Sequence, residues 1–192
     1  MPEWGRKHLQ PALDGDPEAA ASLIFAAGNA QRGEVVKCLW YLDVTDAVLR
    51  SALDDAWNHD HAHVWNALHL DKLGRVFKAA NFPVDHLPEE FTIWRGTRLK
   101  PGDFDIGISW TRNRDIACWF AYRFRSVAAG DPLVLRRTVR RDDVLAHIEG
   151  RREDEIIVMP ARYEVDSNVE DWERSAKRYQ AEKEARQKAY LA

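Results

Sequence analysis

The sequence predicts an α+β fold: a helical lobe over residues 1–88, a mixed core over 89–167 and a charged C-terminal helix over 168–192. Two observations carry this. Up to "FPVDHLP", punctuated by Pro83 and Pro88, apolar residues recur at three- and four-residue spacing, the period of one helix face. Beyond it they fall into short runs rich in β-branched and aromatic residues, bounded by Gly, Pro and Asp, as strands do.

In the lobe, "DGDPEAAASLIFAAG" has Asp16 as N-cap, Pro17 at the first helical position and Gly28 as the stop. The runs "GEVVKCLWYL", "VTDAVLRSALDDAWNHD" and "DKLGRVFKAANF" repeat the helical spacing. In the core, "FTIWRG", "DIGISWT", "PLVLRRTV" and "EIIVMPARYEV" read as strands. Between the second and third lies an amphipathic helix, "NRDIACWFAYRFR", capped by Asn113. The tail "DWERSAKRYQAEKEARQKAYL" carries i,i+4 opposite-charge pairs such as Glu173–Lys177 and reads as a solvated helix docked by Trp172 and Tyr179.

Composition narrows the class. A 45% hydrophobic fraction with eight tryptophans supports a packed core. A net charge of −3 provides no global basic field that would advertise nucleic acid. There is a local basic concentration, Arg136, Arg137, Arg140 and Arg141 with Arg151 and Arg152. It can track a phosphate backbone or balance the neighbouring acids Asp142 and Asp143. Cys38 and Cys118 are expected as buried small hydrophobes in a reducing compartment rather than as a disulfide. The opening "MPEWGRKHLQ" lacks a signal-peptide core, and no apolar run reaches membrane-spanning length. A cytoplasmic protein, native or delivered into a host, is expected, with no membrane partner.

The stretch "GRREDEIIVMP" puts Glu153, Asp154 and Glu155 at the mouth of an apolar run. Burying an unpaired carboxylate is costly. On a strand, residues two apart share a face about 6.6 Å apart, so Glu153 and Glu155 are expected to project together with Asp154 opposite. Two carboxylates on one face suit cleavage of a glycosidic bond: one stabilises an oxocarbenium-like centre while the other manages a proton or the nucleophile. Arg95 ends the first core strand beside Gly96, and a guanidinium is a natural phosphate partner. Ser109, Trp110 and Thr111 precede a helix start carrying Arg112 and Arg114, a plausible pyrophosphate site. Trp110, Trp119 and Phe120 offer flat faces for an aromatic ring.

Arg95 on the first core strand, Ser109-Trp110-Thr111 before a helix, and Glu153-x-Glu155 opening an apolar strand, in that order, resemble the Arg–Ser–Glu class of mono-ADP-ribosyltransferases, which includes clostridial binary toxins and vertebrate arginine-specific enzymes. The resemblance covers roughly residues 91–166. The usual middle motif is Ser-Thr-Ser, from which Trp110 and Thr111 depart.

The resemblance implies a split core of two small β-sheets with NAD bound between them as substrate, and no metal. Arg95 would hold the phosphate and ribose side of NAD, and Gly96 would present its backbone to the carboxamide. Trp110, Thr111, Arg114 and Phe120 would complete the NAD site. Ser109 would orient Glu155, which would bond the ribose 2′-hydroxyl and stabilise the developing positive charge. Glu153 would engage the acceptor, either protein arginine or a nucleic acid base. A toxin, phage or defence effector with a neutralising partner protein fits this type.

Three rival readings stand beside it. Water in place of the acceptor makes the protein an NAD glycohydrolase. A non-catalytic interaction module on the same fold is the second. The third is a metal site in "WNHDHAHVWNALH", where His59 and His63 are i,i+4, although a helix–helix turn at Asp60 also accounts for that cluster.

Overall fold

The computed structural model describes residues 3–99, 103–123 and 130–191. The chain divides into two compact units, Met1–Pro83 and Val84–Ala192, so the break falls at the first of the two prolines rather than the second. Among the described residues no helix is long and apolar enough to cross a membrane.

The first unit holds α1 (Glu3–Arg6), α2 (Leu9–Leu13), α3 (Pro17–Ala27), α4 (Asn29–Tyr41) and α5 (Asp46–Ala80). The Asp16 carboxylate accepts from the backbone N–H of Glu18 and Ala19, Pro17 fills the first position, and Gly28 leaves the helix at φ 74°. The two runs expected as separate helices both fall in α5, which is not one continuous helix: its backbone leaves helical geometry at Asp60 (φ −159°), where the turn was expected, and again at His69 (φ 52°). Leu23, Ile24, Leu39, Leu53, Trp57 and Phe77 are buried in this unit's core. Cys38 departs from expectation. It lies on the solvent side of α4, between the buried Val36 and Leu39, and is exposed.

The second unit is α+β. Its elements are β1 (Glu90–Leu99), β2 (Ser109–Thr111), α6 (Arg114–Arg123), β3 (Asp131–Arg140), β4 (Val144–Ile148), β5 (Glu155–Val158), β6 (Glu164–Val165) and α7 (Trp172–Leu191). The strands form one antiparallel sheet in the order β4-β5-β2-β1-β3-β6. Instead of two small sheets there is one, but its halves meet through a single β1–β2 register pair, Trp94↔Thr111. β2 has three residues, all of which pair with β5.

Two details differ from the sequence expectation. The run "EIIVMPARYEV" is two strands: it ends at Val158 before Pro160, and β6 resumes on the far edge against β3. Proline removes a ladder donor and restricts its predecessor, which separates them. β4 was not anticipated, although its burial alternates strictly along Val144–Ile148. Phe124 and Arg125, the end of the expected amphipathic helix, lie outside the described residues.

Each sheet face has its own core. Ile93, Trp110, Leu135 and Ile156 pack on one face. On the other, α6 and α7 bring Ala117, Cys118, Trp119, Trp172 and Tyr179 together. Asn113 Oδ1 caps α6 by accepting from the N–H of Asp115 at 2.9 Å. Burial pushes the Cys118 thiol up to about 12, so it is inert as a nucleophile.

Candidate active site

β2 and β5 set the site. Their register places Ser109 opposite Ile157 and Thr111 opposite Glu155. Because side chains alternate across a strand, Ser109, Thr111 and Glu155 share the α6 face while Trp110 and Ile156 turn to the other. From its position diagonal to Glu155, Ser109 Oγ donates a hydrogen bond to Glu155 Oε1. Glu155 is only 4% exposed. A second hydrogen bond reaches it from Arg151 Nη2 at 2.9 Å.

Arg95 joins the group through the main chain. It shares a face of β1 with Ile93, opposite Ser109's hydroxyl. Beyond the single β1–β2 pair its Nη1 donates to the Ser109 carbonyl at 2.7 Å. Its Nε donates to the buried Asp105 carboxylate at 3.0 Å, and the same Asp105 oxygen accepts from Gly107 N–H at 2.6 Å. Gly107 leaves room for the guanidinium: a Cβ there would lie 2.1 Å from Arg95 Nη2 and push that side chain aside. Ser109 therefore touches both residues, Glu155 through its hydroxyl and Arg95 through its carbonyl, with the guanidinium and the carboxylate rooted on opposite faces of the sheet.

The acid pair is built differently from the strand expectation. Regular pairing starts at Glu155, and Glu153 comes from the preceding turn, flanked by Arg152 (φ 55°) and Asp154 (φ 48°) in the left-handed region. The turn still brings the two glutamates to one cation, with Arg151 Nε 3.2 Å from Glu153 Oε2. Burial pushes the Glu153 carboxyl above its ordinary value; Arg151 opposes this, and the nearby Glu155 charge adds to it. Lys183 and Arg123, on α7 and α6, also draw it down. Lys183 rests over the Trp119 ring at 4.1 Å.

Asp154 does turn away from the glutamates. It accepts from Arg112 Nε at 2.9 Å and lies 2.8 Å from His147 Nε2. Burial works to raise its pKa, but the His147 and Arg112 hydrogen bonds outweigh that and hold it below the ordinary value. His147 continues to His86 Nε2, 2.7 Å from its Nδ1. Thr111 Oγ1 closes the turn by donating to the Glu153 carbonyl at 2.7 Å, and it accepts from Asn113 N–H at 3.0 Å.

Four expected ligand-contacting residues serve the scaffold here. Gly96 pairs with Val134, and α6 closes over it so tightly that a Cβ would lie 1.8 Å from the Ala117 carbonyl oxygen. Trp110 is buried in the opposite core, with its indole N–H donating to the Gly107 carbonyl at 3.1 Å. Arg114 is spent on Asp166 at 2.7 Å and Asp171 at 2.9 Å, which ties α6 to the start of α7. Phe120 packs partly buried against Trp119 in the α6–α7 cluster.

Asp105, Gly107, Arg151 and His147 were not singled out from sequence as site residues. Asp-x-Gly is a turn signal that could have marked the first two. His147 lies on the unanticipated β4, and Arg151 was visible only as part of a basic run. In the first unit, His59 and His63 pair locally with Asp55 and Asp60, each at 3.5 Å. Among the described residues no group of three or more His, Cys, Asp or Glu is placed to hold a metal ion. No protein-family model, curated protein or solved structure matches this chain.

Proposed function

We propose that the protein is an NAD-dependent mono-ADP-ribosyltransferase acting on a macromolecular acceptor. The observation that carries the reading is the meeting of three residues far apart in sequence at β2, where the Ser109 hydroxyl bonds Glu155 and the Ser109 carbonyl bonds Arg95. The motif order in the sequence is the reason for assigning NAD.

In this reading the bond between ribose C1′ and the nicotinamide nitrogen breaks. Its electron pair goes to the ring, which leaves as neutral nicotinamide, and positive charge develops on the sugar. Glu155, fixed by Ser109 and Arg151, stabilises that charge; in a nearly dry site a preoriented carboxylate acts more strongly than in water. Glu153 takes the proton of the acceptor as its lone pair forms the new bond to C1′, and burial suits it to that task by raising its proton affinity. Arg95, a quarter exposed at 26%, is the cation for the phosphates of NAD.

The test is release of nicotinamide from NAD with transfer of labelled ADP-ribose to macromolecules of a cell lysate. Wild type is expected to do both, and Glu155→Gln to retain the fold while losing at least about a thousandfold in rate. Glu155→Gln with undiminished turnover would eliminate the assignment. Free ADP-ribose with no labelled macromolecule would convert the reading to NAD hydrolysis.

A further inference from the structure

We propose that a groove beside the outer end of β3 binds single-stranded nucleic acid, making that strand the acceptor. The acceptor half of this statement rests on the transferase reading; the binding half stands without it. The groove has a volume of about 530 Å³ and is lined by Arg136, Arg137, Arg162 and Tyr163 with the hydroxyls of Thr92 and Thr138. One carboxylate reaches its rim, Glu164, which is 74% exposed and paired with Arg136 at 3.1 Å. Three guanidinia against one acid make this a positive surface on a chain whose net charge is −3.

The placement of Arg137 favours a fixed anion. Its Nη2 donates to the Met159 carbonyl at 3.0 Å, and the guanidinium carbon sits 4.9 Å from the Trp110 ring centre, so little side-chain freedom remains to be lost. Among the described residues its Nε has no hydrogen-bond partner. Burial works against its charge, a cost that a bound phosphate relieves.

An aromatic platform adjoins the cations. Tyr163 stacks on Phe104 with centroids 4.9 Å apart and planes at 26°, and Phe104 is 57% exposed. Guanidinia beside an open aromatic face are the combination that holds a single strand, phosphates on the cations and bases on the rings. An acidic peptide would satisfy the cations and leave the platform unused. The groove also connects to Arg95: Asp105 N–H donates to Tyr163 Oη at 2.9 Å, and the Asp105 carboxylate accepts from Arg95 Nε. A strand lying in the groove thus ends one residue from the proposed NAD arginine.

Fluorescence anisotropy of labelled oligo-dT and oligo-rU against the full chain, over a salt series, tests this. Wild type is expected to bind at low salt. Arg136→Gln with Arg162→Gln should weaken binding at least about tenfold and flatten the log K against log salt slope by about 1.4, at ~0.7 per lost phosphate contact. Phe104→Ala should weaken it about tenfold with the slope unchanged. Arg162→Gln alone, at an exposed site, serves as the variant whose folding is not in question. No binding by wild type, or equal binding by all variants, overturns the proposal. A raised KM for NAD in the arginine variants with oligonucleotide binding intact overturns it in favour of the phosphates of NAD. Oligonucleotide binding by a wild type that never cleaves NAD retains the groove and removes the transferase reading.

Discussion

The hydroxyl of Ser109 donates to the carboxylate of Glu155 across the β2–β5 ladder, in a register where Ser109 stands opposite Ile157. The bond is diagonal, so it constrains the glutamate side chain without belonging to the ladder. A hydrogen bond to a charged group contributes about 1.5–3 kcal/mol. Ser109→Ala is therefore expected to lower kcat for nicotinamide release roughly ten- to a hundredfold and to leave KM for NAD nearly unchanged. Ser109→Thr should recover part of the loss. Steady-state kinetics decide it: a change confined to KM would mean that the hydroxyl contacts substrate instead of orienting Glu155.

Gly107 and Gly96 make a matched pair of alanine tests. At Gly107 the three atoms nearest the new methyl belong to the guanidinium of Arg95, the far end of a flexible side chain. Gly107→Ala should fold normally while displacing Arg95, raising KM for NAD about tenfold, the value of about 1.4 kcal/mol of lost contact. At Gly96 the methyl meets backbone, Ala117 O at 1.8 Å and Ala121 N at 2.5 Å. Gly96→Ala should destabilise by about 3 kcal/mol or more. Thermal melts and NAD kinetics on the two variants separate these outcomes; a cooperative, wild-type melt for Gly96→Ala would contradict the tight β1–α6 packing.

The sequence was legible wherever one local rule governed the outcome. Asp16, Pro17 and Gly28 marked α3 because capping is decided within a few residues. Asn113, Trp172 and Tyr179 were readable for similar reasons, as a cap and as apolar residues on a charged helix. The meeting of Ser109 with Glu155 was foreseen through motif order, and its diagonal geometry follows from strand register, which no local signal specifies. What stayed hidden depends on long-range placement. Trp110 and Arg114 had the chemistry of ligand contacts, but β2's alternation turns Trp110 into the opposite core, and the acids before α7 claim Arg114. His147 and Arg151 gained meaning only when the turn at residues 152–154 folded back on itself.

Arg151 between Glu153 and Glu155 predicts opposite stability changes for two substitutions. Glu153 has its folded pKa above the ordinary 4.5. Its contribution therefore favours the fold fully below the unfolded pKa and is lost as the pH rises through the raised value. Glu153→Gln should match or exceed wild-type stability at neutral pH, with the difference vanishing below about pH 4. Arg151→Ala removes the cation that two buried carboxylates share. It should cost about 2 kcal/mol at neutral pH, less than a fully buried pair because Arg151 is 30% exposed. That deficit should shrink in acid as Glu153 takes up its proton. Urea unfolding at several pH values checks both; a Glu153→Gln protein that is much less stable at neutral pH would mean the Arg151 pair outweighs the burial of the charge.

Asp154 links the acidic turn to β4, and its loss should separate the two halves of the reaction. The carboxylate has its pKa below the ordinary 3.8 and, being ionised, can only accept, so His147 Nε2 donates to it, while His147 Nδ1 lies 2.7 Å from His86 Nε2. Stability from a depressed carboxylate is present above its unfolded pKa and is lost as pH falls through the folded one. Asp154→Asn keeps the left-handed backbone, which asparagine tolerates, and removes the charge. It should cost about 1–2 kcal/mol at neutral pH and flatten the acid limb of the stability profile. His147→Gln, at a side chain 3% exposed, should act in the same direction. Glu155 lies on β5 and keeps its bond to Ser109 on β2 even when the turn's Arg151 shifts, while Glu153 depends on the turn alone. NAD cleavage should therefore fall only a few-fold in Asp154→Asn, and the share of ADP-ribose reaching a macromolecule should fall about tenfold. The ratio of transferred to free ADP-ribose measures this directly, and an unchanged ratio with wild-type cleavage would show that the turn does not position the acceptor-side glutamate.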